Sequence, residues 1–174
     1  MSHVEFFLTA FDKWHKSHPE VKGWVLDVGC RNRVLKTALE ERGFTWTGVD
    51  HKPTDENDDL IYQCTMEKLI VQSNMIDLVL CCHSFEHCED PISALREFKR
   101  VLKPGGYLFI GGPYPCYRQL FGGDEDHIFV LNELQLQKIL KYVGYEDVTS
   151  YTHEETEEQN HTVCAAGKKT LEGI

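Results

Sequence analysis

Trp24-Val25-Leu26-Asp27-Val28-Gly29-Cys30-Arg31-Asn32-Arg33 is the stretch on which the fold turns: a short apolar run stopped by Gly29. The residues that follow, as far as Arg42, include the helix formers Leu35, Ala38 and Leu39, with Gly43 as a stop. Strand, turn and helix are therefore expected in that order. A dinucleotide-binding turn needs the spacing GxGxxG so that backbone can approach a pyrophosphate, and only Gly29 fits it. One glycine after a strand is, by itself, an ordinary turn.

Working outward, Thr45-Trp46-Thr47-Gly48-Val49-Asp50 is a β-branched and aromatic run that ends in an acid. Leu60 to Cys64 is a third short strand candidate, beyond an acidic loop. Ile76-Asp77-Leu78-Val79-Leu80-Cys81-Cys82 is nearly continuous in apolar character, as a central parallel strand buried on both faces should be. Asp90-Pro91 supplies an N-cap and a proline at the first helical position; Ile92, Leu95, Phe98 and Leu102 mark one face before Lys103-Pro104-Gly105-Gly106 stops the helix. Tyr107 to Ile110 is the next strand, and Asn132 with Gln135 is a capping box opening a helix that runs to Gly144. Asp147 to Tyr151 and His161 to Ala165 are the last two strand candidates. Phe7, Phe11 and Trp14, with Phe6 alongside, place an aromatic-faced helix in residues 1–18, read as core packing, ahead of a core spanning 24–167.

Strands alternating with helices imply right-handed crossovers and a parallel sheet covered on both faces, with a ligand crevice at the carboxyl ends of the strands. The chain has 174 residues, which at about 150 per domain is a single domain. Lys and Arg number 18 against 28 Asp and Glu, a net charge of −10. Affinity for nucleic acid comes largely from neutralised phosphates, so a nucleic-acid partner is disfavoured. No apolar run is long enough to cross a membrane, and the first residues carry no basic region or cleavage site, so a cytoplasmic location is expected. Seven cysteines, with Cys81 and Cys82 adjacent in an apolar run, suit buried thiols in a reducing compartment.

Asp50 lies about 20 residues after the first turn, where a carboxylate can accept hydrogen bonds from both hydroxyls of an adenosine ribose. A turn without the glycines a diphosphate requires, followed by that acid, fits a nucleoside free of phosphate better than NAD. S-adenosylmethionine is such a ligand.

From about Val25 to Val148 the sequence resembles the class I S-adenosylmethionine-dependent methyltransferases, and among them the small Methyltransf_11 type. Val25-Leu26-Asp27-Val28-Gly29-Cys30 is similar to the family's first motif, Gly48-Val49-Asp50 to its ribose acid, and Met66-Glu67-Lys68-Leu69 to its adenine-side segment. Ile76 to Cys82 with His83 to Pro91, and above all Leu95 to Gly106, resemble the later motifs in the family's order. The resemblance implies a Rossmann-like α/β fold, a seven-stranded, mostly parallel sheet with helices on both faces and the last strand antiparallel. It further implies that Asp27, Gly29 and Cys30 hold the methionine end of the cofactor, Asp50 the ribose, His51 one adenine face, and Thr65, Met66 and Glu67 the adenine edge. The methyl group would point at Cys82, His83 and the residues after them. Arg31 and Arg33 stand where the family usually has glycines, and Thr65 where it commonly has Asp.

His83-Ser84-Phe85-Glu86-His87 also matches the HxxEH pattern of zinc peptidases, which requires both histidines on one helical face; between a buried strand and the Asp90-Pro91 helix start there is little room for that helix. The match is read as accidental. Ubiquinone-pathway O-methyltransferases and small-RNA 2′-O-methyltransferases resemble this stretch with ExxEH as metal ligands, which would make a divalent metal an optional second cofactor. His83 would then replace the first Glu, and His127 would complete the set. The preferred assignment involves no metal: Glu86, His87 and His127 form the catalytic group, with a histidine as base, because imidazole titrates near neutrality. Tyr114, Tyr117 and Phe121, among Pro113, Pro115 and Arg118, are candidates for a substrate wall.

The expected activity is transfer of a methyl group from S-adenosylmethionine, leaving S-adenosylhomocysteine, to a hydroxyl of a small molecule or sugar. An N-methyltransferase, or a regulatory protein that binds the cofactor without turnover, are the alternatives.

Overall fold

The computed structural model of the chain describes residues 3–53, 61–115, 126–154 and 161–171. Seven strands, β1 (Trp24–Val28), β2 (Thr45–Asp50), β3 (Ile61–Gln63), β4 (Ile76–Cys82), β5 (Leu102–Pro113), β6 (Glu146–Glu154) and β7 (His161–Lys168), form one sheet in the order β3-β2-β1-β4-β5-β7-β6. Strands β1 to β5 pair in parallel, while β7 runs antiparallel to both β5 and β6. Strand order reverses between β1 and β4, so a crevice opens beyond their carboxyl ends. This is the α/β class I methyltransferase architecture that the sequence led us to expect.

Side chains alternate across the strands, and the two sets they create face two separate helical layers. Val25, Leu78, Leu80, Tyr107, Phe109, Cys164 and Ala166 meet helix α1 (His3–His15) and helix α2 (Lys36–Glu41). Leu26, Val28, Val79, Cys81, Leu108, Ile110 and Val163 meet helix α3 (Pro91–Val101) and helix α4 (Glu133–Val143). The aromatic face of α1 is core: Phe7 and Phe11 are fully buried, and the Phe109 ring packs against Phe7, Phe11 and Trp14 with centroids 5.5, 5.4 and 5.2 Å apart.

The caps act as their residue types dictate. Asp90 accepts from the Ser93 N–H at 3.0 Å ahead of Pro91, Asn132 and Gln135 close a capping box, and Gly144 ends α4 at φ 89. Lys103-Pro104-Gly105-Gly106 ends α3 as expected but lies within β5 rather than in a turn before it. Leu102 pairs with Ile76 and Tyr107 with Leu78, so the four residues loop out of register while Lys103 holds Asp77 through two contacts of 2.8 Å. Strands β1, β2 and β4 fall where expected; β3 ends at Gln63, with Leu60 outside the described residues, and β6 and β7 extend to Glu154 and Lys168. Residues 64–75 carry no helix, which leaves Tyr62, Ile70 and Met75 exposed beside β3.

Candidate active site

Asp50 ends β2, Asp27 is the last residue but one of the neighbouring β1, and the two differ in what holds them. Asp27 is 1% exposed and accepts the Trp46 indole N–H at 3.1 Å. Burial pushes its carboxyl up to about 7; the Trp46 hydrogen bond works against that, and the charge of Asp50 adds to it. Asp50 is 7% exposed, its Oδ2 accepting the Arg31 N–H and its Oδ1 the Lys52 N–H, each at 2.8 Å. Each oxygen keeps acceptor capacity for one more donor. His51 is exposed, with Nδ1 3.4 Å from Asp50 Oδ1.

Gly29 adopts φ 74, and a Cβ there would lie 2.4 Å from Ser84 Cβ, so the turn admits no side chain at this point. Cys30 turns the other way: its thiol packs among Leu35 and Trp46, leaving its backbone, not its side chain, to the crevice. Arg31 and Arg33 keep left-handed backbones at φ 48 and 62. For residues with a Cβ that conformation costs about 1 to 3 kcal/mol each.

In the loop after β3, Thr65 is exposed and Met66 packs against the core layer of α3 and α4. Glu67 is committed elsewhere. Its Oε1 accepts the Cys88 thiol at 3.0 Å and the Glu89 N–H at 3.2 Å, tying the loop after β3 to the turn that opens α3. Burial raises its carboxyl, but hydrogen bonds from the Cys88 thiol, its own N–H, the Thr65 hydroxyl and the Asp90 N–H outweigh it and the net shift is downward.

Beyond β4, Phe85–His87 form a single 3-10 turn, not the helix that a peptidase motif needs. Cys82 is half-buried against the α1 layer. His83 has φ 47; its N–H donates to the Gly111 carbonyl at 2.8 Å, its Nδ1 lies 3.7 Å from Glu86 Oε1, and its Nε2 3.3 Å from Thr162 Oγ1. The ring is thus directed toward β5 and β7.

Glu86, His87 and His127 come together, one donor atom of each lying within 4.8 Å of the others. Glu86 is 4% exposed, its Oε2 is buried with no hydrogen-bond partner, and burial raises its carboxyl to about 7. His87 Nδ1 lies 2.9 Å from the Asp126 carbonyl, which can only accept, so Nδ1 carries a proton and Nε2 keeps its lone pair in the neutral ring. The His87 and His127 rings meet edge to face at 4.9 Å. A carboxylate and two imidazoles also form a donor set that suits a first-row divalent cation, and the orphaned Oε2 is an atom such an ion would satisfy. His83 stands outside that group. Tyr114 packs against the core, whereas Tyr117, Arg118 and Phe121 lie outside the described residues.

Ser84 and Trp46 gave no signal in the sequence. The Ser84 hydroxyl donates to the Val28 carbonyl at 2.8 Å and meets Cys81 Sγ at 3.0 Å, which pins the segment after β4 to the end of β1.

A family model described as a methyltransferase domain matches residues 26–110. Among curated proteins, the chain is 36% identical over 97 residues to a ubiquinone biosynthesis O-methyltransferase of Pseudomonas entomophila, covering 49% of this chain and 42% of that one. It is 31% identical over 123 residues to the protein of the same name from Paracidovorax citrulli, covering 57% and 52%. The chain thus spans about half the length of these relatives. Among solved structures, a SAM-dependent methyltransferase from Archaeoglobus fulgidus superposes with a TM-score of 0.76 at 20% identity, over 94% of both chains. The 1,6-didemethyltoxoflavin-N1-methyltransferase of Burkholderia thailandensis, bound to 1,6-didemethyltoxoflavin and S-adenosylhomocysteine, gives 0.75 at 19% identity, over 96% of this chain and 79% of that one.

Proposed function

We propose that this chain, which belongs to the class I S-adenosylmethionine-dependent methyltransferases, transfers the sulfonium methyl group to a hydroxyl of a small molecule or sugar. The observation that carries the reading is the convergence of Asp27 and Asp50 on the single turn at Gly29, a carboxylate pair suited to a cationic nucleoside without phosphate. Asp50 would accept the ribose hydroxyls, while Asp27 would face the cofactor's positive end.

The donor is already activated by its charge, so the protein aligns the partners in line and removes one proton. His87 Nε2 is the proton acceptor, with His127 beside it and Glu86 buried behind. The oxygen of the acceptor attacks the methyl carbon, the carbon–sulfur bond breaks, and the hydroxyl proton passes to the imidazole. If a divalent cation is bound, Glu86, His87 and His127 would hold it and it would polarise the hydroxyl. The names of the curated relatives support an oxygen acceptor. A net charge of −10 argues against nucleic acid as the acceptor. None of the six described cysteines is in a disulfide, which suits a cytoplasmic protein.

A second reading, cofactor binding without turnover, draws on the strained Arg31 and Arg33 and the exposed Thr65. A nitrogen acceptor would make the same use of the cofactor with less need of a base. A mass-spectrometric screen of hydroxyl and amine acceptors with methyl-labelled cofactor tests the proposal. Labelled product from the native chain, abolished by Asp50→Ala, is the expected result; tight cofactor binding with no product across the panel favours the binder.

A further inference from the structure

Ser84 stands between the two halves of the site, the turn at Gly29 and the 3-10 turn that carries Glu86 and His87. Its side chain serves the first. The hydroxyl donates to the Val28 carbonyl at 2.8 Å, and its Cβ and Oγ fill the space that a side chain at Gly29 would take. Its backbone serves the second. The Ser84 carbonyl accepts the His87 N–H at 3.2 Å, and the Phe85 carbonyl accepts the Cys88 N–H at 3.1 Å, which closes the 3-10 turn.

The hydroxyl is what asks for serine here. Its single proton goes to Val28, so the Cys81 thiol, 3.0 Å away, is the donor to Ser84 Oγ. Cys81 is fully buried, and burial pushes its thiol up, so the sulfur keeps that proton. Thiol, hydroxyl and carbonyl form one buried chain in which each bond polarises the next. Alanine would fill the same space but take this partner away from both the Val28 carbonyl and the Cys81 thiol.

We propose that Ser84 is a positioning residue for methyl transfer: its hydroxyl ties the 3-10 turn to the end of β1, so that the protein itself sets the separation between the methyl donor and His87. The role rests on the cofactor and base readings above. From the Val28 carbonyl to the His87 N–H the path is two hydrogen bonds through one small residue, with no long side chain between. Such stiffness matters to an in-line transfer, where a misplacement of about 1 Å costs on the order of a hundredfold in rate.

Amide hydrogen exchange and calorimetric titration with S-adenosylhomocysteine, on the native chain, Ser84→Ala and Cys81→Ala, test this. In Ser84→Ala the His87 and Cys88 amides should exchange about tenfold faster or more, while affinity for S-adenosylhomocysteine stays within about threefold of native. Saturating ligand should slow exchange of these two amides in the native chain and fail to do so in Ser84→Ala. Cys81→Ala keeps the bond to Val28, so its two amides should behave as in the native chain; thermal unfolding run in parallel reports that both variants are folded. Unchanged exchange in Ser84→Ala, or equal loosening in Cys81→Ala, overturns the proposal and leaves Ser84 to general packing. A large loss of affinity with exchange unchanged also overturns it, making Ser84 a support of the cofactor turn alone. Failure of the native chain to bind S-adenosylhomocysteine contradicts the cofactor reading instead, whatever the amides show.

Discussion

The Trp46 indole N–H donates to Asp27 Oδ2 at 3.1 Å, and this one bond is the hydrogen bond that holds the buried carboxylate at the end of β1. One neutral donor does not offset the loss of water, which is why the group sits at about 7 rather than in the usual carboxylate range. In the free chain near neutral pH, Asp27 is therefore part protonated, and a cation entering the turn displaces that proton.

Cofactor affinity should depend on pH through this group. The bound cation lowers the Asp27 value, so binding releases a proton below about 7; affinity then rises with pH and levels off above it, changing by up to about tenfold per pH unit on the acid side. Titrations with S-adenosylmethionine between pH 5 and 9, on the order of one unit apart, check this. Asp27→Asn should flatten the profile; a slope that persists in the variant removes Asp27 as its source.

Stability should follow the opposite course. A carboxyl whose folded value lies above its unfolded value of 3.8 contributes stability that is complete below the unfolded value and is lost as pH rises through about 7. Asp27→Asn removes that loss, so relative to the native chain the variant gains on the order of a few kcal/mol between acid and mildly alkaline pH. Urea midpoints measured across that window report the gap directly, and a gap constant with pH would contradict the burial argument.

Gly29→Ala and Gly43→Ala separate strain from collision. Both glycines have positive φ, 74 and 85, but a Cβ at Gly29 meets Ser84 at 2.4 Å whereas one at Gly43 meets nothing within 4 Å. We expect Gly43→Ala to cost about 1 kcal/mol and Gly29→Ala about 2 to 4 kcal/mol in denaturant unfolding. Equal costs would mean that β1 and the segment after β4 are not held as closely as Ser84 holds them.

Phe109→Ala should destabilise the fold by about 3 to 5 kcal/mol, since it removes a fully buried ring against which Phe7, Phe11 and Trp14 pack. A loss under about 1 kcal/mol would detach α1 from the core.

His87→Ala should lower kcat by about a hundredfold or more while leaving S-adenosylhomocysteine affinity unchanged, and a chelator should leave the native rate unchanged. If the chelator abolishes turnover and a divalent cation restores it, Glu86, His87 and His127 act as ligands and His87 is not the base.

The elements and their caps were legible because they are local: Asp90-Pro91, Asn132 with Gln135, and Gly144 carry their signals within one helical turn. Asp27, Gly29 and Asp50 were legible because each sits at the end of a strand. What escaped depends on residues far apart in the chain. Ser84 reaches Val28 across 56 positions, Trp46 reaches Asp27 across 19, and the Cys88 thiol reaches the Glu67 carboxylate across 21. Lys103 to Gly106 reads as a plain stop, yet pairing on either side of it, set by β4, carries it into β5. Glu86, His87 and His127 were each named from sequence, but their meeting depends on the Ile128 N–H donating to the Glu86 carbonyl at 2.9 Å, which folds the loop before α4 onto the 3-10 turn.

The structure of the chain crystallised with S-adenosylhomocysteine addresses the central claim most directly. Both ribose hydroxyls should donate to Asp50, with the nucleoside seated over Gly29 and Asp27 facing the amino-acid end. Ligand bound elsewhere, with Asp50 still accepting from the Arg31 and Lys52 backbone N–H groups and no ribose hydroxyl, would contradict it.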